Sequence, residues 1–110
     1  EFSFEKRLDE STKVKNKHSN RVPCIVEKCH KCHKISSIDK KKFLVPNDLT
    51  MGQFIYIIRR RLKISPQEAI FIFVNDSIPS SSSSISEIYS KHKDLDGFLY
   101  FRYSSENTFG

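Results

Sequence analysis

Four side chains able to bind a metal or act as nucleophiles crowd into Cys29-His30-Lys31-Cys32-His33. Zinc takes such ligands in a tetrahedron, normally as two pairs well separated in sequence. Four candidates within five residues cannot easily surround one ion. The third thiol, Cys24, falls on a stretch that reads as a strand facing the core. No metal site is therefore expected, and the cluster reads as a loop with two exposed thiols. A catalytic cysteine would need a base and an orienting group beside it, and no such pair follows from the spacing. There is no glycine-rich phosphate loop and no nucleic-acid-binding signature. The chain is expected to be neither an enzyme nor a cofactor carrier.

Phe109-Gly110 offers a different chemistry. A terminal glycine has no side chain to obstruct attack at its carbonyl. That suits a modifier whose C-terminus is activated and passed to an acceptor amine. Residues 98–103 alternate like a strand, and residues 104–110 read as a flexible polar tail carrying the Gly110 carboxylate away from the fold.

The elements that must position these groups fit one domain spanning residues 1–110. Nine Phe and four Tyr within a 37% hydrophobic composition can build one core. No apolar run approaches the ~20 residues of a membrane span. Three cysteines are an odd number, which argues against a secreted disulfide framework and for the reducing cytoplasm. Charge is uneven. Residues 1–63 hold 16 Lys/Arg against 7 Asp/Glu, and residues 64–110 hold 3 against 6. The basic half should attract acidic partners.

Phe4 to about Lys17 reads as a basic helix within an N-terminal extension of residues 1–20. Phe4 and Leu8 form a stripe too thin for anything but surface packing. Val22 to Val26 reads as a strand, with Pro23 arguing for an edge or a strand start. Phe43-Leu44-Val45 is a second strand, and Leu44 should face away from its neighbours. Thr50-Met51-Gly52-Gln53 is a capping box opening a helix whose Met51, Phe54, Ile55, Ile58 and Leu62 share one face. Ser65-Pro66-Gln67-Glu68 should make only a turn, because the apolar run from Ala69 to Val74 follows and reads as a strand buried on both faces. The five serines from Ser80 to Ser84 read as a mobile loop, and Ser84-Ile85-Ser86-Glu87 as the cap of a short helix. Asp96-Gly97 is a turn before the last strand. One long helix crossing a four-stranded mixed sheet is an α+β, ubiquitin-like β-grasp arrangement.

Arg21-Val22-Pro23, residues 39–46 (DKKKFLVP), Gly52-Gln53-Phe54, residues 58–61 (IRRR), Phe73-Val74-Asn75 and Phe109-Gly110 together resemble the autophagy-related protein 8 family, its GABARAP-like members in particular. The likeness runs from Phe4 to Gly110. It implies a modifier joined through Gly110 to phosphatidylethanolamine by an activating and a conjugating enzyme, and trimmed or released by a cysteine protease. It implies a chain that is cytoplasmic until lipidation anchors it to autophagosomal or related membranes. The Lys-, Asn-, Ile- and Ser-rich composition suits an apicomplexan member, for which that membrane would be the apicoplast's.

The same resemblance implies a groove for peptides of the form aromatic-x-x-aliphatic, which would add a strand to the exposed edge at Lys42 to Val45. Its aromatic pocket would be lined by Glu10, Val14, Pro23, Ile25, Lys42, Leu44 and Phe98. Its aliphatic pocket would be lined by Phe43, Val45, Pro46, Leu49, Phe54 and Ile57. Arg21, Lys40 and Arg61, with Lys42, would meet acidic residues flanking the motif. Read from the residues alone, Pro23, Ile25, Phe54 and Ile57 fit equally well as core. Val14 and Ile57 differ in size or branching from the usual family residues, which should alter pocket depth.

Overall fold

The computed structural model describes residues 2–30 and 35–106. Helix α1 spans Phe4–Lys17, strand β1 Arg21–Lys28 and strand β2 Lys42–Pro46. Helix α2 (Met51–Leu62), strand β3 (Phe71–Phe73), helix α3 (Ile85–His92) and strand β4 (Leu99–Ser104) follow. The sheet runs β2-β1-β4-β3, with β1 parallel to β4 and the outer pairs antiparallel.

The core lies between one face of the sheet and α2. Val22, Cys24 and Val26 of β1 point there, with Phe43 and Val45 of β2 and Leu99, Phe101 and Tyr103 of β4. Helix α2 answers with Met51, Phe54, Ile58 and Leu62, all buried, while Ile55 is half-buried. The Phe54 ring packs edge-on to Phe43 at 5.7 Å and tilts against Phe101 at 5.3 Å.

The capping boxes form as their sequences dictate. Gln53 N donates to Thr50 Oγ1 at 3.2 Å, and Thr50 N to Gln53 Oε1 at 2.9 Å. Ser84 and Glu87 do the same for α3, and those bonds hold the Glu87 carboxyl below its ordinary range. Ser65 and Glu68 close a turn without a helix, Ser65 N donating to Glu68 Oε1 at 3.0 Å.

Five expectations are corrected. Pro23 is not on an edge, since β1 is interior. Val26 N donates to Lys41 O at 2.8 Å, so alternation turns the Pro23 nitrogen toward β4. Pairing with β4 begins only at Cys24↔Leu99, so no ladder bond is lost. The run from Ala69 to Val74 yields only three strand residues, on the outer edge of the sheet, with Phe71 half-buried and Ala69 exposed. The serine loop is tied down. Ser83 O accepts from Met51 N at 2.8 Å and Ser81 O from Gly52 N at 2.9 Å. Those bonds satisfy two N–H groups at the α2 terminus that would otherwise lack partners. Gly52 eases this approach, because a Cβ there would lie 3.3 Å from Ser81 O and push that carbonyl back by a few tenths of an ångström. Cys29 is buried rather than exposed, and Ile35 and Ile38 join the core beside it. Tyr103 pins that segment: Ile38 N donates to its hydroxyl, which donates to Ser36 O, both at 2.8 Å. Finally, the polar tail does not begin at Ser104, which is buried at the end of β4.

Candidate functional site, a peptide groove at the open edge of the sheet

Alternation along β2 divides its residues cleanly. Phe43 and Val45 turn into the core, while Lys42, Leu44 and Pro46 remain exposed. With Lys41, Phe43 and Val45 bonded toward β1, the N–H and C=O groups of Lys42 and Leu44 face the open side. Arg21 Nη1 reaches the Leu44 carbonyl from that side at 3.2 Å. An extended chain could pair with such an edge.

Beside this edge lies a cavity of about 480 Å³ between α1 and the sheet. Glu10 and Val14 of α1 form one wall, and Pro23, Leu44 and Phe98 form the floor. Arg21, Lys40 and Lys42 ring it. Six of the seven residues expected for the aromatic pocket therefore lie together, with two of the expected flanking cations. Ile25, the seventh, lines an adjoining cavity of about 250 Å³ with Phe2, Arg7 and Tyr100. Lys42 Nζ bridges both Glu10 carboxylate oxygens at 2.9 Å across the mouth. Both side chains are more than two-fifths exposed, so the pair contributes at most ~1 kcal/mol and yields readily to a competing carboxylate. The Lys40 ammonium lies 5.2 Å from the Phe43 ring centroid.

The residues expected for the aliphatic pocket are more scattered. Phe43, Val45 and Phe54 are core residues, Leu49 is half-buried against that core, and Pro46 and Ile57 are exposed. Ile57 lines a cavity of about 450 Å³ with Tyr56, Arg60 and Lys63. Arg61 and Asp39 share that cavity and pair at 3.5 Å. Gly110 lies outside the described residues, as do Cys32 and His33. Among the described residues no group of three His, Cys, Asp or Glu side chains could hold a metal ion, and no helix is long and apolar enough to cross a membrane. Burial pushes the Cys24 thiol well up, leaving it unreactive.

One residue beside the site escapes sequence reasoning entirely. Asp96 is fully buried, and its carboxylate accepts from Arg7 Nε at 2.9 Å, from Phe98 N at 2.9 Å and from the Tyr100 hydroxyl. Its backbone carbonyl accepts from Ser11 Oγ at 2.5 Å. Burial raises the carboxyl, but the Tyr100, Phe98 and Arg7 bonds outweigh it and hold Asp96 below the usual aspartate range. Burial and the adjoining carboxylate push Tyr100 up. In sequence Asp96 reads only as a turn residue, since Arg7 and Ser11 lie more than eighty positions away.

The family model described as "Autophagy protein Atg8 ubiquitin like" matches residues 6–110. The autophagy-related protein 8 of Colletotrichum lindemuthianum is 56% identical over 110 residues, covering all of this chain and 90% of the relative. Those of Candida glabrata and Schizosaccharomyces pombe are each 54% identical over the same length, covering 92% and 90% of the relatives. The crystal structure of Trypanosoma brucei ATG8 superposes with a TM-score of 0.89 at 45% identity, covering 99% of this chain and 93% of that one. This chain therefore belongs to the Atg8 family, and is a ubiquitin-like modifier of autophagy rather than an enzyme.

Proposed function

We propose that this chain is joined through Gly110 to phosphatidylethanolamine and that its β2 edge binds extended aromatic-x-x-aliphatic peptides of receptors and conjugation enzymes. The observation that carries the peptide reading is the open edge at Lys42–Pro46 beside the cavity walled by Glu10 and Val14. A peptide strand on that edge would gain backbone bonds from Lys42 and Leu44 and set an aromatic side chain into the cavity. Arg21, Lys40 and Lys42 would draw acidic flanking residues, mainly raising the on-rate in a salt-dependent way. The aliphatic residue would rest nearer Pro46, Leu49 and Ile57. Arg61 would join it once released from Asp39.

The lipidation reading is supported by the family match, which runs to Gly110. Its implied partners are the activating and conjugating enzymes, the releasing protease and phosphatidylethanolamine membranes. The unconjugated chain would be cytoplasmic and the conjugated one anchored to autophagosomes.

Reconstitution with the activating and conjugating enzymes, ATP and phosphatidylethanolamine liposomes, read by intact mass, tests the first half. The wild type should gain one lipid and Gly110→Ala none. No gain with demonstrably active enzymes would leave a non-conjugated adaptor, docking peptides through the groove alone. Titration with an aromatic-x-x-aliphatic peptide tests the second half. Leu44→Ala and Lys42→Glu should each weaken it by more than ~1 kcal/mol, and unchanged affinity would remove them from the site.

A further inference from the structure

Helix α1 supplies a wall of the groove, yet it is barely packed. Ser11 is its only buried residue, and Phe4 and Leu8 are 43% and 40% exposed. Cavities of about 480, 250 and 460 Å³ lie along its seat, the last lined by Arg7, Asp96 and Tyr100 among others. With so little of its own surface buried, the helix is held at points more than along a face. Its points are Arg7 on Asp96, Ser11 on the Asp96 carbonyl, Glu10 on Lys42, and Lys15 Nζ on Arg21 O at 3.2 Å. Glu10–Lys42 is exposed and weak, and Lys15 meets one carbonyl and, at 5.2 Å, the Tyr89 ring. Asp96 alone is both fully buried and doubly engaged with α1.

The spacing then ties this anchor to the groove. Arg7 and Ser11 stand four residues apart, as do Glu10 and Val14, and the two pairs interleave on adjoining lines of one helix. Moving the first pair off Asp96 necessarily moves the second. The anchor also presses on the pocket floor, since Phe98 N is held by Asp96 Oδ1. Gly97 completes the seat. Its φ of 88° and the 2.2 Å approach that a Cβ would make to Ser11 Oγ leave room for no other residue.

We propose that Asp96 is a latch that seats α1 on the sheet, and that it thereby sets which aromatic side chain the first pocket accepts. This rests on the peptide-groove reading. Asp96 is a positioning residue, reaching the ligand only through Glu10, Val14 and Phe98.

The test uses the full chain as wild type, Asp96→Asn, Arg7→Ala and Arg7→Lys. Amide hydrogen exchange is followed in residues 4–17 and 51–62. Peptides carrying Trp or Phe at the aromatic position, and Leu or Val at the aliphatic one, are titrated against each. Asp96→Asn should raise exchange in α1 at least tenfold while α2 keeps its protection. It should also cut the Trp-over-Phe preference at least threefold and leave the Leu-over-Val preference unchanged. Arg7→Ala should act the same way more weakly, with Arg7→Lys between it and the wild type. Unchanged α1 exchange overturns the latch. Equal losses at both peptide positions overturn its role in selectivity. If Asp96→Asn does not fold, the Arg7 pair, which leaves Asp96 in place, decides both points. Wild-type protein that binds none of the peptides would sink the groove and the selectivity with it, while the exchange data still judge the seat.

Discussion

Helices α1 and α2 pack on opposite faces of one sheet and are held there by opposite means. Helix α2 buries Met51, Phe54, Ile58 and Leu62, with every N–H at its start satisfied by Thr50 or by the serine loop. Helix α1 buries one serine and hangs on the Asp96 carboxylate and carbonyl, on Lys42 and, through Lys15, on the Arg21 carbonyl and the Tyr89 ring. Apolar burial is non-directional and scales with area, so α2 cannot shift without losing stability. Point contacts are directional and few, so α1 can shift at small cost. The fold is secured on the face away from the groove, and the groove is walled by the element free to adapt.

The largest expected effect comes from the secured face. Phe54→Ala should remove ~3–5 kcal/mol in chemical denaturation, because the ring fills the space between Phe43 and Phe101. A loss near 1 kcal/mol would mean that the core collapses around the gap.

Acid should act on the other face. The folded Asp96 carboxyl lies below its ordinary range, so its contribution is fully present above the unfolded value of ~3.9 and is lost as pH falls through the lower folded value. The α1 seat should therefore hold from pH 8 down to about 5 and loosen only in stronger acid. Arg7 from α1 and Tyr100 from β4 bond to this group, and Glu27, Asp76, His92, Asp94 and Arg102 line the cavity beside it. Amide shifts of residues 4–17 followed by NMR would show it. A transition near neutral pH would show that a group other than Asp96 holds the seat.

Thr50→Ala should cost about 1 kcal/mol by removing the N-cap of α2, measured by thermal or urea unfolding. Leu8→Ala should change stability by less than ~0.5 kcal/mol, since Leu8 is 40% exposed and lies outside the core cluster. A large loss there would show that α1 is seated by apolar contact after all, and the contrast between the helices would dissolve.

Much of this was written locally. Both capping boxes, the α2 stripe and the two-residue alternation of β2 depend on neighbours within four positions, and each forms as its sequence implies. The groove was legible only through family resemblance, because Pro23 and Phe98 are apolar residues that a core would accept equally. The scattered aliphatic pocket shows the limit of that route: Phe54 and Val45 lie wholly inside. The anchor of α1 was not legible at all. No local pattern distinguishes Asp96 from any aspartate preceding a turn glycine.

The sequence by itself determined the type of each principal element and the register of its buried face, because periodicity and caps are short-range. Tertiary structure decided where the strands stand. It put β1 in the middle despite Pro23, since the proline nitrogen meets the sheet before β4 begins. It placed a short β3 at the edge despite an apolar run, and buried Cys29, Ile35 and Ile38 beneath Tyr103. It also brought Arg7 and Ser11 across the sheet to Asp96. Such pairings are paid for by chain closure over long separations, which no local pattern records.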